Sequence, residues 1–219
     1  MNKLARVFIR PIILSMALGT TALTAGPAWA QFSNPEPATT EVHNAAALHP
    51  PAGARVAIVE WEDLECPDCA HANPMLKDAA EQYHIAWVRH DFPLPFHTWS
   101  FEAAVDARWF DSHSKRLGDT FRDALFAAQP TIHSEEDLRA FAGQFAGQHG
   151  LKLPAEVDPQ GRLADLVKAD YALGQSVGIQ HTPTIWVVTS KASGTPFVEV
   201  VDRSRLDALI EQALGETAK

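Results

Sequence analysis

An α/β fold is predicted for this 219-residue chain by the order in which two hydrophobic patterns occur along it. Short β-branched runs at 55–60, 84–90, 184–189 and 197–201 have the pattern of buried strands. Helical periodicity separates the first two strands, fills residues 98–177, and follows the fourth strand. The predicted order is therefore β, α, β, a block of helices, β, β, α, with the block as an insertion between two halves of one sheet.

The first helix is predicted over residues 66–83, where apolar residues recur at helical spacing. Pro74 lies inside this helix and should bend it. Near the other end of the chain, a Ser-Gly-Thr-Pro turn joins the last two strands as a hairpin. Asp202 is the expected cap of the final helix.

The helical block is divided by capping and breaking residues. Thr98 is a candidate cap for its first helix, and a second helix is expected near 119–128. Ser134 begins a capping-box-like sequence for a third helix, and Asp158-Pro159 predicts the start of a fourth, which Gly178 should end. The aromatic residues expected to form the core of this block are Phe101, Trp109, Phe121, Phe141 and Phe145.

Export is predicted from residues 1–30. Three cations precede an uncharged apolar stretch at 11–25, and residues 28–30 read Ala-Trp-Ala, the form of a signal-peptidase site. The apolar stretch is shorter than the roughly 20 residues that a membrane span needs. We therefore expect a signal peptide cleaved near Ala30–Gln31, no stable membrane anchor, and a location in the periplasm.

Two segments are expected to follow the signal peptide. Residues 31–53 are rich in Pro, Ala and polar residues without periodicity, which predicts a flexible lead-in. Residues 54–217 are long enough for one domain that contains the helical insertion at about 98–177. No dimerisation domain is seen before this fold, which disfavours a V-shaped isomerase, and we expect a monomer.

The acidic balance of the chain excludes two classes of partner. The sequence has 18 Lys and Arg against 27 Asp and Glu, a formal net charge of −9, and the predicted signal peptide carries only cations. Nucleic acids and anionic lipids attract positive surfaces. We therefore expect no nucleic-acid partner and no binding to anionic lipid.

The chemistry is concentrated in Cys66-Pro67-Asp68-Cys69, which holds the only two cysteines of the chain. A disulfide across two residues closes almost no loop and adds little stability, which favours a redox function over a structural one. Zinc sites of three or four cysteines are excluded by the count, and c-type haem attachment is excluded because Ala70, not His, follows Cys69. No metal and no cofactor are expected.

Four features, in order along the chain, resemble the DsbA-like thiol–disulfide oxidoreductases of the thioredoxin superfamily. They are Glu-Trp-Glu-Asp-x-x-Cys-Pro-x-Cys at 60–69, Pro74, Phe-Pro-Leu-Pro-Phe-His at 92–97, and Gly-x-x-x-Thr-Pro at 178–183. The resemblance implies a thioredoxin fold with the helical insertion between the second and third core strands. One departure is the dipeptide between the cysteines, which is often Pro-His in DsbA oxidases and is Pro67-Asp68 here.

Cys66 is predicted to be the nucleophile, because a helix N-terminus stabilises a thiolate. That stabilisation favours the dithiol and makes the disulfide a better oxidant. Cys69 is expected to be less exposed and to resolve the mixed disulfide, while Pro67 sets φ of the first turn. Asp68 should raise the pKa of Cys66 relative to a Pro-His pair, although a helix-stabilising role explains Asp68 equally well.

The resemblance also implies that Pro183 is cis and faces the cysteines. An extended substrate could then pair with the backbone of Thr182 as an added strand. His181 is a candidate for tuning the thiolate, with a packing or solvent role as the commoner alternative for a loop histidine.

Glu60 is a candidate proton acceptor for Cys69, since the superfamily has a buried acid at this offset and burial raises its pKa. The alternative is an exposed strand residue. Glu62, Asp63 and Glu65 are expected to face solvent and to form an acidic rim that favours neutral or basic substrates.

The combined prediction is a periplasmic enzyme that exchanges disulfides with extended or unfolded proteins containing cysteines. Its direction is predicted to be oxidase-like rather than reductase-like, and it requires an unidentified redox partner. Two alternatives stay open at this point. One is a metallochaperone that binds copper or zinc through Cys66, Cys69 and a histidine, and the other is a non-catalytic peptide-binding module.

Overall fold

A computed structural model describes residues 39–191 and 196–218. Its strands, in chain order, are β1 (Val56–Glu62), β2 (Ala86–Asp91), β3 (Thr184–Thr189) and β4 (Phe197–Glu199). Its helices are α1 (Pro67–Tyr83), α2 (Ser100–His113), α3 (Lys115–Ala128), α4 (Glu135–Gln148), α5 (Arg162–Val177) and α6 (Leu206–Thr217), with 3-10 helices at Ala45–Ala47, Gln129–Thr131 and Arg203–Arg205. The predicted signal peptide and its cleavage site lie outside the described residues.

The strands form one mixed sheet in the order β2-β1-β3-β4. β1 and β2 are parallel, with Ile58 opposite Trp87, and β3 is antiparallel to β1, with Ile58 opposite Val187. β4 is antiparallel to β3. Four α-helices separate β2 from β3, which confirms the α/β class and the insertion between the second and third core strands.

β1 is a central strand and is buried along its whole length. Its alternate residues face opposite sides of the sheet. On one side Ile58 packs in a core with Leu76 of α1 and Ile210 of α6. On the other side Val59 packs in a core with Val177 of α5. The last helix of the block therefore covers the sheet, and the two helix layers position the end of β1 where the cysteines follow.

Helix α5 approaches the sheet closely at Gly174. A Cβ atom at this position would lie 2.7 Å from ring carbons of Phe92 and 2.8 Å from the Trp61 ring. Gly178 then ends the helix as predicted, with a φ of +107° that favours glycine.

Helices α2, α3 and α4 build a second core around aromatic rings. The Phe110 and Phe121 centroids are 4.4 Å apart, and Phe145 meets both rings edge-on, at 5.0 and 5.2 Å. The other aromatic residues predicted as core are only partly buried: Phe101, Trp109 and Phe141. Cys66 and Cys69 pack in this same core, so the helical block supplies one wall of the cysteine site.

Two helices of the block begin later than their sequences predict. α2 begins at Ser100, because the Glu65 carboxylate accepts hydrogen bonds from Trp99 N at 2.7 Å and Ser100 N at 3.0 Å. This cap comes from a distant segment instead of from Thr98. Ser134 caps α4 as predicted, accepting from the Asp137 N–H.

α5 starts at Arg162, after Gly161, instead of at Pro159. Asp158 still contributes to this end of the helix, because its Oδ2 accepts from Ala164 N at 2.8 Å. α1 has 17 residues and continues through Pro74, and the expected bend there stays a prediction. None of the helices in the described ranges is long and apolar enough to cross a membrane.

The segment expected as a flexible lead-in differs from that expectation where the structure describes it. His43 N donates to Val177 O at 2.9 Å, and Thr40 donates to the Glu199 carboxylate from its backbone N–H and its hydroxyl. Leu48 is buried in the core that contains Val59. Part of residues 39–53 thus covers the domain, because its apolar side chains complete one face of the sheet.

Candidate active site

The two cysteines lie where β1 leads into α1. Cys66 is the N-cap residue, with an extended backbone at φ −76° and ψ 120°, and Pro67 occupies the first helical position. The Cys66 carbonyl accepts the first helical hydrogen bond from Ala70 N, at 3.1 Å. The unpaired N–H groups of this first turn carry partial positive charge, so a sulfur at the N-cap is favoured as a thiolate.

The two thiols differ strongly in acidity. The pKa of Cys66 is lowered to about 6, mainly by a hydrogen bond from the Cys69 thiol, with support from backbone N–H groups of Cys69 and Asp68 and against the effect of burial. Burial raises the pKa of Cys69 well above its ordinary range, and its neighbour Cys66 adds to the rise. Cys69 is fully buried, whereas Cys66 is 7% exposed. The lowered pKa favours the thiolate form of Cys66, and the raised pKa favours the thiol form of Cys69 beneath it.

The segment before β3 covers the Cys66 sulfur. The Cys66 Sγ lies 3.4 Å from Thr182 O, and the Thr182–Pro183 peptide bond is cis, as the resemblance implies. The Thr182 side chain is among the groups that lower the pKa of Cys66, and its buried hydroxyl has no hydrogen-bond partner among the described residues. His181 is exposed, and its Nδ1 lies 3.3 Å from Thr184 Oγ1.

Asp68 is paired with Arg203, a residue that no local sequence pattern marks. Arg203 Nη1 donates to Asp68 Oδ1 at 2.8 Å, and Nη2 donates to the other carboxylate oxygen. The hydrogen bond from Arg203 lowers the pKa of Asp68. Because the guanidinium offsets the carboxylate charge, the predicted effect of Asp68 on the pKa of Cys66 is reduced.

Glu60 is buried in β1, and its pKa is raised to about 8, mainly by burial and then by the nearby charge of Glu62. Its Oε2 accepts a hydrogen bond from Trp87 Nε1 at 3.0 Å, while Oε1 has no partner within the described ranges. Its carboxylate also raises the pKa of Cys69. Glu60 is thus a buried acid whose raised pKa favours its protonated form, and its charge acts on Cys69.

The expected acidic rim is wrong, because Glu62 and Asp63 point into the protein and the partly exposed Glu65 is engaged at the start of α2. Glu62 and Asp63 are each 1% exposed. Asp63 Oδ2 accepts from Leu94 N at 2.6 Å and lies 2.8 Å from His97 Nδ1, and its Oδ1 accepts from Ser100 Oγ at 2.6 Å. Asp63 thereby fixes the loop between β2 and α2 against the cysteine turn, and Glu65 caps α2 as described above.

Glu62 belongs to a buried ion network that joins the sheet to the helical block. Arg89 Nη2 donates to Glu62 Oε2 at 2.8 Å, and Nη1 donates to Asp123 Oδ1 at 3.0 Å. Arg122 donates to both carboxylate oxygens of Asp111, at 3.1 and 3.0 Å, and its Nε lies 3.3 Å from Glu62 Oε1. Both arginine side chains are 1% exposed. The network leaves these acids unable to shape the surface charge of the site.

Gln129 connects the helical block directly to the cysteine turn. Its Nε2 donates to Leu64 O at 3.0 Å and to Cys66 O at 3.1 Å. Gln129 lies in the 3-10 helix after α3, far from the cysteines in sequence, and no local pattern marks it. Only its position after a helix that packs on the site brings its amide to these carbonyls.

No three His, Cys, Asp or Glu side chains in residues 39–191 and 196–218 are placed to share a metal ion. Two of the histidines that were candidate ligands, His90 and His97, have carboxylate partners. His90 Nδ1 lies 3.0 Å from Asp170 Oδ1, and His97 lies against Asp63. The described residues therefore give the metallochaperone alternative no support.

Comparisons with known proteins place this arrangement in a family. The sequence profile described as Thioredoxin matches residues 52–211. A cysteine-to-alanine double variant of alpha-DsbA1 from Wolbachia pipientis is similar in structure, with a TM-score of 0.65 and 16% identity, over 80% of this chain and 98% of that one. The thiol-disulfide exchange protein alpha-DsbA2 from the same organism has a TM-score of 0.59 and 16% identity, over 75% and 84% of the two chains.

A periplasmic thioredoxin-like protein from Salmonella enterica serovar Typhimurium has a TM-score of 0.59 and 19% identity, over 75% of this chain and 87% of that one. No curated protein matches the sequence. The profile match covers the whole sheet, the cysteine turn, the helical block and the start of α6. This chain therefore belongs to the thioredoxin family, and its fold is that of the DsbA-type thiol–disulfide oxidoreductases.

Proposed function

We propose that this protein is a thiol–disulfide oxidoreductase that exchanges disulfides with cysteines of extended or unfolded proteins, acting more as an oxidase than as a reductase. The observation that carries the proposal is the difference between two adjacent thiols. Cys66 has a pKa of about 6 at a helix N-terminus, and Cys69 is fully buried with a raised pKa. In such a pair, the Cys66 sulfur is suited to act as nucleophile and leaving group in exchange with substrate, and the Cys69 sulfur is suited to re-forming the disulfide with Cys66.

The oxidising reaction begins with the Cys66–Cys69 disulfide. A substrate thiolate attacks the Cys66 sulfur, the bond between the two cysteines breaks, and Cys69 departs with the electron pair and takes up a proton. A second substrate thiolate then attacks the substrate sulfur of the mixed disulfide and releases Cys66 as a thiolate. The substrate dithiol has lost two electrons and become a disulfide, and the enzyme has become a dithiol. An electron-accepting redox partner must restore the enzyme disulfide.

The acidity of Cys66 supports the oxidising direction. A stable Cys66 thiolate favours the dithiol form of the enzyme, which makes its disulfide easier to transfer. Its pKa of about 6 lies between values of about 7 for thioredoxin and about 3.5 for DsbA. We therefore expect an oxidant of intermediate strength.

Glu60 is the group that we assign to proton transfer with Cys69. It is coupled to the Cys69 sulfur, and its pKa of about 8 lets it accept or donate a proton under working conditions. The buried thiol of Cys69 cannot ionise readily without a nearby acceptor. Glu60 would therefore accelerate the steps in which Cys69 loses or gains its proton.

The substrate would bind beside the Thr182–Pro183 segment. A cavity of about 580 Å³ adjoins the cysteine helix, lined in part by Asp68, His181, Pro183 and Arg203. An extended peptide in it could pair with the backbone at Thr182. The salt bridge between Asp68 and Arg203 places one negative and one positive group on this wall. The wall would therefore not select substrates by their net charge.

The organisation of the chain forms part of the proposal. Residues 1–30 would be a cleaved signal peptide, residues 31–53 a lead-in, and residues 54–217 one domain. The Salmonella protein of the same fold is described as periplasmic, and disulfides persist in that compartment. We propose the periplasm as the location and a monomer as the active form.

The first experiment is to equilibrate the Cys66–Cys69 pair with glutathione redox buffers and to titrate the thiolate absorbance against pH. We expect an oxidising potential and a Cys66 pKa near 6. The C69S variant should keep a reactive thiol that attacks a model peptide disulfide, releases one peptide thiolate and accumulates as the mixed disulfide, whereas C66S should not.

Three outcomes would decide against parts of the proposal. A potential close to that of thioredoxin would favour a reductase or relay. A pair that exchanges at the rate of free cysteine would favour the non-catalytic peptide-binding module. Metal bound stoichiometrically after anaerobic purification would favour the metallochaperone.

A further inference from the structure

A second cavity lies in the helical block, and none of its lining residues belongs to the candidate active site. It is bounded by α2, α4 and the segment leading into α5, and its volume is about 370 Å³. Part of its wall is apolar, formed by Phe101, Val105, Leu138 and Val157. This size lies within the range of small-ligand pockets.

The polar part of this cavity is strongly negative. The carboxylates that line it are Glu102, Asp106, Glu135, Glu156 and Asp158. Arg139 is the one cation among the described lining residues, and its Nη2 already donates to the carbonyls of Pro154 and Ala155. The Arg139 guanidinium is thus bound to backbone carbonyls in the cavity wall. The acidic residues that line the cavity outnumber its single basic residue.

Asp106 distinguishes this cavity from an ordinary cluster of surface acids. Its residue surface is only 6% exposed, and its carboxylate forms no hydrogen bond or ion pair within the described residues. Burial raises its pKa to about 7, the more distant charge of Arg139 opposes the rise, and Glu102 adds to it. A largely buried carboxylate that faces a cavity without a protein partner is stabilised either by keeping a proton or by a cation that enters the cavity.

We propose that this cavity binds an organic cation, namely an ammonium or guanidinium group on an aliphatic stem, with Asp106 as its carboxylate partner. The apolar wall suits the stem, and the acids suit the charged end. A metal ion is a poorer match, because no three acids or histidines among the described residues are placed to share one. The cation could be a lysine or arginine side chain of a polypeptide or a free amine, and the inference does not depend on the proposed redox function.

The test is isothermal titration calorimetry of the full chain at neutral pH with three probes of similar length. They are 1,5-diaminopentane, Nα-acetyl-lysine methylamide, and Nα-acetyl-norleucine methylamide, which keeps the stem and lacks the charge. The D106N variant removes the buried carboxylate at constant shape. D207N, on the exposed start of α6, is the matched control for loss of one negative charge.

We expect the cationic probes to bind and the norleucine probe to fail. D106N should weaken cation binding by about tenfold or more, as expected when one member of a buried charge pair is removed, and D207N should leave it unchanged. The binding heat of the unmodified chain should vary with the ionisation enthalpy of the buffer, because the cation displaces a proton from Asp106. This dependence should disappear in D106N.

Binding of the acetyl-lysine probe supports a polypeptide side chain as the ligand, and binding of the diamine alone supports a free amine. The proposal is overturned if no cationic probe binds, if the norleucine probe binds equally well, or if D106N binds the cations as tightly as the unmodified chain. Circular dichroism of D106N and its disulfide exchange with glutathione verify that the fold and the cysteine site are intact.

Discussion

Arg203 holds the carboxylate of Asp68, the residue directly before Cys69, through two hydrogen bonds. The two residues are far apart in the sequence, since Asp68 lies in the first turn of α1 and Arg203 follows β4. The charge beside the thiolate is therefore that of an ion pair and not that of an isolated acid. This relationship determines how the departure from a Pro-His dipeptide should be interpreted.

Replacing Arg203 with Gln should raise the pKa of Cys66, because it leaves the Asp68 carboxylate unpaired near the thiolate. Asp68 is partly exposed, and opposite or like charges several ångströms apart in water shift a pKa by about half a unit. Thiolate absorbance against pH measures the change. Arg205→Gln, two residues away and exposed, is the matched control.

The double variant R203Q/D68N should return the Cys66 pKa to near its original value, since both charges are then absent. If R203Q raised the Cys66 pKa by the same amount in the D68N variant as in the unmodified protein, this account would be contradicted. That result would mean that Arg203 acts on the sulfurs directly and not through Asp68.

Removing the Thr182 hydroxyl should also weaken the thiolate. Thr182→Val keeps the shape of the side chain and removes a buried group that lowers the pKa of Cys66. Because the hydroxyl makes no hydrogen bond among the described residues, it acts on the thiolate only as a nearby dipole, and a rise of no more than about half a pKa unit is expected. Thr182→Ser retains the hydroxyl and should leave the pKa unchanged, and equal values for the Val and Ser variants would exclude a role for the hydroxyl.

Replacing Glu60 with Gln should make stability less dependent on pH. The folded-state pKa of Glu60 is about 8 against an ordinary value of 4.5, so the folded protein keeps a proton that the unfolded chain releases. Stability of the unmodified protein should fall as pH rises from about 4.5 to about 8 and then level off. E60Q lacks this titrating proton. Its free energy of unfolding, relative to that of the unmodified protein, should therefore increase as pH rises through the same window.

Urea unfolding in reducing buffer at several pH values measures this difference, with the exposed Glu81→Gln on α1 as the control. Parallel stability curves for E60Q and the unmodified protein would show that Glu60 stays ionised in the fold. In kinetic assays E60Q should also slow the steps that move the Cys69 proton while leaving the Cys66 pKa nearly unchanged.

Replacing Arg122 with Met should destabilise the domain severely. Arg122 is buried between Glu62, Asp91 and Asp111, which would be left as uncompensated acids. Breaking one side of a buried ion pair costs roughly 3–5 kcal/mol. Urea unfolding should show this loss for R122M and almost none for Arg116→Met, which is exposed on the same helix. A small effect would mean that the acids of the network take up protons at little cost.

Local pattern was sufficient for much of the fold. β3 matches its predicted bounds, and α1 differs by one residue, because β-branched runs and helical periodicity report burial directly. Gly178 and Ser134 were likewise identifiable, since a helix end depends on the conformation and capping of one or two residues. The start of α2 was not identifiable from the sequence, because its cap is the distant carboxylate of Glu65.

The groups that carry the chemistry were identifiable from the order of residues alone: two cysteines at a predicted helix start, an acid six residues earlier, and a Thr-Pro segment before the third strand. The surroundings of these groups came from the packing of the folded chain. It turned Glu62 and Asp63 inward, brought Arg203 to Asp68 and Gln129 to the Cys66 carbonyl, and left Asp106 buried without a partner. These outcomes depend on which side chains from distant parts of the sequence meet in the fold, and a local sequence pattern does not report such contacts.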